Sequence, residues 1–282
     1  MARALRHIWL CADDYGISPA VSAGIRELIL RGRLNATSVM MTSPHLSNDE
    51  ADALEMLNSG EKRAAIGLHV TLTGPFQPMS AGFAPLRDGA FLPNTEKMRK
   101  AMLRRLEPER LTIEIATQLR AFIDAFGHTP DFVDGHQHVH LVPQVRDAFL
   151  KVVAATAPNA WVRQCGRAPS ARRLRDRKAL TLDVLSLGFR RAAARRGVAT
   201  NPAFAGAYDF KSKAAFGKIF PRFLAGLPEG GLIMCHPGHA DAELEQLDWV
   251  TEQREREFAY FSSDEFPRDL SAHGIALATP AG

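Results

Sequence analysis

The chain has 282 residues, 46% of them hydrophobic, and a formal net charge of +4. That length and apolar share can fill one large core or two small ones. No apolar run approaches the roughly 18 residues of a membrane span, and the apolar N-terminal stretch turns acidic too early for a secretory signal. The three cysteines, Cys11, Cys165 and Cys235, are odd in number and scattered. They argue against a disulfide framework and for a reducing compartment, so a cytoplasmic location is expected.

The first predicted strand runs from His7 to Ala12 and delivers two adjacent carboxylates, Asp13 and Asp14. Neighbouring like charges repel and resist burial, so the pair is costly unless one binds a cation and the other works beside it. Ser18 as N-cap and Pro19 at the first helical position then open a helix with Val21, Ile25, Leu28 and Ile29 on one face, which Gly32 stops. A second strand is expected over Ala36 to Met41. Ser47 with Glu50 reads as a capping box for a helix to about Leu57. A third strand, Ala65 to Leu72, carries His69.

From about Thr73 to Pro108 the pattern loosens around Pro75, Pro78, Pro85 and Pro93. So long a loop in a compact domain is usually functional, and it is expected to cover the pocket, with a short helix near Lys97 to Leu106. Glu109 to Phe126 is helical by the spacing of Ile115, Leu119, Phe122 and Phe126, ended by Gly127. Phe132 to His138 is read as a strand, and Pro143 opens a helix bearing Val145, Phe149, Val152 and Val153. A short strand, Trp161 to Gln164, precedes a basic helical region. A helix over Ala214 to Leu227, a strand over Gly231 to Cys235, a helix over Leu244 to Phe261 and a strand over Gly274 to Ala278 complete the order.

Strands alternating with helices predict a parallel sheet, and roughly six to eight of them suit an irregular β/α barrel occupying residues 1–282 as one catalytic domain. An open doubly wound sheet is the rival, but no glycine-rich dinucleotide loop follows the first strand. Catalytic groups in such barrels sit where strands end, which is where Asp13, Asp14, His69, His136 and His236 fall.

Asp14, His69 and His136 are the candidate metal ligands. A carboxylate with two imidazoles suits a divalent transition metal and leaves room for water and substrate. The competing structural readings are a loop or capping aspartate for Asp14 and a backbone-bonded core histidine for His69. In Asp134-Gly135-His136-Gln137-His138-Val139-His140 an extended chain points Asp134, His136, His138 and His140 to one face. His136 lies nearest the strand end, so His138 and His140 are assigned to orienting ligands or touching substrate. Asp13 is available as general base, and His236 as acid for a leaving group, with His239 and Asp241 beside it. Arg163 is assigned to substrate or its developing charge, an ion pair being the alternative.

A basic cluster between Arg163 and Arg196 includes Arg172, Arg173, Arg175, Arg177, Lys178, Arg190, Arg191, Arg195 and Arg196. It reads either as a solvated helix surface or as a patch for phosphate, an acidic ligand or an anionic membrane. It lacks interleaved aromatics, so nucleic acid is not expected.

Taken together, Ala12-Asp13-Asp14-Tyr15-Gly16, Gly67-Leu68-His69, the segment from Asp134 to His140, and Cys235-His236-Pro237 resemble the YdjC-like carbohydrate deacetylases, a family including chitooligosaccharide and hopanoid-biosynthesis deacetylases. The resemblance implies a β/α barrel related to polysaccharide deacetylases, holding one divalent metal, zinc or magnesium. It implies Asp14, His69 and His136 as ligands, Asp13 as base and His236 as acid. Two imidazoles favour zinc or another transition metal, whereas magnesium prefers oxygen. The expected activity is removal of an N-acetyl group from an amino sugar, with release of acetate. A sugar-binding barrel without catalysis, or another metal-dependent sugar enzyme such as an isomerase or phosphoesterase, remains the alternative. A lipid-linked substrate and a homodimer both stay open.

Overall fold

The computed structural model describes residues 4–169, 177–210 and 214–280. Its strands are β1 (Arg6–Tyr15), β2 (Ala36–Val39), β3 (Ala65–Val70), β4 (Leu86–Arg87), β5 (Ala90–Phe91), β6 (Phe132–Gly135), β7 (Trp161–Val162), β8 (Phe204–Ala205), β9 (Leu232–Cys235) and β10 (Ile275–Leu277). Eight form one sheet in the order β7-β6-β3-β2-β1-β9-β8, with β10 on the first half of β1. Every pairing within that sheet is parallel. The two ends of the path approach each other: Val162 bridges Thr200, and Phe204 N donates to Gly166 O at 3.0 Å. The sheet is therefore curled toward a barrel, as expected.

The helices are α1 (Pro19–Leu30), α2 (Asn48–Glu55), α3 (Asn94–Met102), α4 (Pro108–Phe126), α5 (Pro143–Thr156), α6 (Arg177–Ala194), α7 (Phe216–Ile219), α8 (Pro221–Leu224), α9 (Ala242–Leu247), α10 (Glu252–Ser262) and α11 (Glu265–Ala272). Local signals set several of their ends. Ser18 accepts from Val21 N at the start of α1, which buries the predicted face. Gly127, at φ 74, closes α4 in the left-handed conformation that other residues adopt at a cost. Ser47 caps α2, but Glu50 does not reciprocate; its carboxylate accepts from Tyr15 and Arg26 instead.

Four expectations fail for physical reasons. The strand read over Phe132 to His138 ends at Gly135, because Gln137 and His138 turn into positive φ (52° and 59°) within a tight turn over residues 136–141. The extended face shared by Asp134, His136, His138 and His140 therefore does not exist. The helix read over Ala214 to Leu227 is split, since Pro221 cannot donate a backbone hydrogen bond. The helix read over Leu244 to Phe261 is broken between α9 and α10, where Asp248 pairs with Arg254.

The segment 73–108 is more ordered than a loop. It holds the β4–β5 hairpin and α3, and α4 anchors it through Glu114, which accepts from Met79 N and Ser80 N. Part of the basic cluster, including Arg172, Arg173 and Arg175, lies outside the described residues. Within them Arg190, Arg191, Arg195 and Arg196 are exposed, as the solvated-surface reading expects. No described helix is long and apolar enough to cross a membrane.

Candidate metal centre and active site

Register brings the chemistry to the carboxyl ends of the strands. Ala12 pairs with Thr37 on one side and Cys235 on the other, and His69 stands opposite Asp134. Between Ala12 and Tyr15 the β1–β2 register shifts, so Asp13 and Asp14 together face the single residue Ser38. This is a β-bulge, and Asp14 takes its strained position at φ 67. Consecutive strand residues normally point to opposite faces; the bulge lets both carboxylates serve one site.

Oδ1 of Asp14 lies 3.0 Å from His136 Nδ1 and 3.3 Å from His69 Nε2. All three residues are buried, and their donor atoms fall within 4.8 Å of one another. Metal–ligand bonds of about 2.0–2.2 Å place neighbouring donors about 3 Å apart, so this triangle fits a divalent cation. The surroundings fit as well. His69 Nδ1 is 2.5 Å from Asp134 Oδ1, an anchor for a proton on Nδ1 that would leave Nε2, on the Asp14 side, to ligate a cation. Oδ2 of Asp14 accepts from Arg254 at 2.6 Å, leaving Oδ1 for the cation.

Charge supports the same reading. Asp13, Asp14 and Asp134 are buried with only two guanidiniums, Arg163 and Arg254, paired with them among the described residues. At least one positive charge is missing when the imidazoles are neutral, since Arg254 also serves Asp248. Burial pushes His69 down, but Asp134, with Asp14 and Asp13, overrides it and drives the ring up to about 10. Without a cation, a protonated His69 fills the deficit. Burial likewise opposes ionisation of Asp14, yet His136 and Arg254 hold its carboxyl well below the usual range.

A second cluster, Cys11, Asp13 and Asp134, also has close donor atoms. Its centre is taken: Nη2 of Arg163 lies 3.1 Å from Cys11 Sγ, 2.6 Å from Asp13 Oδ1 and 2.5 Å from Asp134 Oδ2. Burial keeps Cys11 a thiol. This second cluster is an arginine socket.

Arg163 corrects its predicted role. It is fully buried and grips Asp13 with both terminal nitrogens, so it is directed at the candidate base and not at a ligand in the pocket. Burial alone would raise the Asp13 carboxyl; the guanidinium holds it well below the carboxylate range. His140 is corrected too. Its Nε2 donates to Arg163 O at 2.8 Å and its ring packs on Phe149 and Phe189, so it props the chain behind the site. Gly135 makes this possible, because a Cβ there would lie 2.8 Å from His140 Nδ1.

His138 is half-buried, edge-on to Phe204, with Nδ1 3.5 Å from Cys165 Sγ. Burial, with the charge of Arg163, lowers it to about 3, so the ring is neutral. His236 is closer to the centre, with Nε2 4.0 Å from Asp14 Oδ2. Its backbone N–H donates to Glu257 at 2.6 Å, and its ring Nδ1 is buried without a hydrogen-bond partner among the described residues. Burial lowers its pKa. Neither predicted helper reaches it: His239 pairs with Glu255, and Asp241 caps α9. From the 73–108 segment, Phe76 sets its ring edge on His136 at 5.8 Å.

The YdjC-like protein family matches residues 7–272. The chain belongs to that family. A chitooligosaccharide deacetylase of Klebsiella pneumoniae is 27% identical over 237 residues, covering 82% of this chain and 81% of the relative. A protein of Enterococcus faecalis named for cellobiose-phosphate cleavage shares the fold with a TM-score of 0.72, 23% identity and 98% coverage of both chains. A peptidoglycan N-acetylglucosamine deacetylase is similar at a TM-score of 0.50 and 11% identity, over 96% of this chain and 85% of that one. The relation to polysaccharide deacetylases expected for the barrel thus holds at the level of fold.

The sequence reading missed Arg254 and Glu257. Both sit in a run of alternating charges that reads as a wet helix surface, yet both are fully buried against the site. Only the packing of α10 against α1 and α7, with Arg254 reaching Asp14 and Glu257 reaching the His236 amide, reveals them.

Proposed function

We propose that this protein is a metal-dependent hydrolase that removes the N-acetyl group from an N-acetylated amino sugar and releases acetate. The observation that carries the proposal is the meeting of Asp14, His69 and His136 at one buried point, with Asp13 and His236 beside it. The chitooligosaccharide deacetylase relative supports the substrate class.

A divalent cation held by Asp14, His69 and His136 would supply Lewis acidity to the acetyl carbonyl and stabilise charge developing on its oxygen. Two imidazole donors favour zinc or a similar transition metal over magnesium. Asp13, kept ionised and fixed by Arg163, takes a proton from the attacking water as its oxygen bonds to the acyl carbon. The bond from that carbon to the sugar nitrogen then breaks. His236 takes up a proton from solvent as negative charge builds near it and passes it to the leaving nitrogen, while Asp13 returns the water's proton to solvent. The products are acetate and a free amine. His138, half-buried near these groups, is assigned to substrate contact.

We read the whole chain as one catalytic domain, since β10 returns from the C-terminal end to pair with β1. Three free buried cysteines favour a reducing, cytoplasmic setting.

The deciding experiment is acetate release from N-acetylglucosamine oligomers by metal-loaded protein, with and without a chelator. Release that stops on chelation and returns with zinc is expected. Sugar binding without acetate release, whatever the metal, would replace this reading with that of a non-catalytic barrel.

A further inference from the structure

Among the exposed large apolar residues, Trp249 stands apart. Isolated exposed aliphatics such as Met56 and Val184 are ordinary on a protein surface. Trp249 leaves a whole indole 66% exposed, and it is joined to the candidate site by two edge-to-face ring contacts. Its ring meets Phe210 edge-to-face at 6.3 Å, and Phe210 meets His236 edge-to-face at 5.2 Å.

The backbone that presents Trp249 is held firmly. Asp248 on one side accepts from Arg254 at 2.7 Å and from Val250 N at 3.1 Å. Val250 on the other side is buried, and its carbonyl accepts from Arg254 Nε at 3.0 Å. The same arginine donates to Asp14. One buried side chain therefore fixes both a candidate metal ligand and the stretch that exposes the indole.

A broad flat ring on a rigid backbone gives a large contact area for little loss of conformational freedom. The C–H face of a pyranose ring matches such a surface, while its hydroxyls stay in water. Trp249 lies two ring contacts out from Asp14's neighbour His236, so a ring laid on it sits beside the candidate metal centre and not at it. We propose that Trp249 is a stacking platform for the sugar ring next to the one that carries the reacting acetyl group. This rests on the deacetylase reading.

The test compares wild type, Trp249→Ala and Trp249→Phe on N-acetylglucosamine and its trimer, with zinc-loaded protein. Trp249→Ala is expected to raise KM for the trimer about tenfold with kcat unchanged, to leave the monosaccharide unaffected, and to be largely rescued by Trp249→Phe. An equal effect on both sugars, or none on the trimer, overturns the platform. Tryptophan fluorescence supplies a readout that needs no turnover. The trimer should shift wild-type emission, and Trp249→Ala should lose that shift. If no sugar releases acetate, the deacetylase reading falls, while the fluorescence titration still decides the platform. A shift with anionic vesicles and not with the trimer would overturn it in favour of a membrane contact.

Discussion

Both terminal nitrogens of Arg163 reach Asp13, Nη1 to Oδ2 and Nη2 to Oδ1, each at 2.6 Å. A bidentate fork sets the plane of the carboxylate as well as its charge. The orientation of the candidate base is thus borrowed from β7's continuation, a hundred and fifty positions along the chain. Replacing Asp13 by Asn keeps the shape and removes the basicity. Zinc binding in Asp13→Asn, measured by equilibrium dialysis, should stay within a few-fold of wild type, while turnover should fall by about 10²- to 10³-fold. Full activity in that variant would remove the base assignment.

Asp134 is the partner that gives His69 its tautomer. In the Asp134→Asn variant a neutral amide replaces the carboxylate, and His69 loses both its anchor and part of its basicity. Zinc affinity of Asp134→Asn is expected to drop about 10- to 100-fold, the usual cost of losing a carboxylate behind a ligating imidazole. Competition against a chromogenic chelator reads this directly, and an unchanged affinity would sever Asp134 from the metal centre.

Arg254 does a different job. It neutralises Asp14 from the side away from the imidazoles, inside a fully buried pair. Removing one member of such a pair leaves an uncompensated charge, at about 3–5 kcal/mol. Arg254→Met should therefore melt well below wild type when metal-free. Saturating zinc should recover part of the loss, because bound cation neutralises the freed carboxylate and stabilises only the folded state. Melting curves of both proteins with and without zinc check this; a deficit that zinc does not narrow would count against Asp14 as a ligand.

Much of this site was legible because its groups sit where strands stop. The apolar runs before Asp13, His69 and His236 marked these residues. Strand β9 does stop at Cys235, just before His236. By contrast, β1 runs on through both aspartates to Tyr15, and β3 ends at Val70, one residue past His69. Three features were hidden. The bulge that turns Asp13 and Asp14 to one site depends on the pairing with Ser38, which no local pattern announces. The turn after Gly135 needs positive φ at Gln137 and His138, residues that read equally well as extended. Arg163 and Arg254 look like surface cations in sequence. Their burial is decided by carboxylates on distant strands, so helix periodicity and charge pattern carry no trace of it.

The 73–108 segment hides a buried cation of its own. Lys97 on α3 is fully buried, its Nζ has no hydrogen-bond partner among the described residues, and it lies 4.7 Å from the ring centre of Phe83 and 5.3 Å from that of Phe91. The two rings return part of the lost hydration. Burial nonetheless lowers its pKa to about 8 from the usual 10.5, against the pull of Glu114. Below pH 8 folded and unfolded chains both hold the proton, and the full penalty of the buried charge is present. Between pH 8 and 10.5 the unfolded chain binds more proton than the folded one, so this group makes stability rise with pH. At pH 7 the penalty is on the order of 3 kcal/mol. Lys97→Met, which keeps the length and drops the charge, should stabilise the protein at pH 7 by about 1–3 kcal/mol, the loss of the ring contacts offsetting the remainder. The gain should shrink as the pH is raised to about 10, since wild type sheds its proton there and the variant has none to shed. Urea unfolding of both proteins across that range isolates the Lys97 contribution from other alkaline titrations. A variant less stable than wild type at pH 7, or a difference independent of pH, would show that Nζ is solvated or paired in solution.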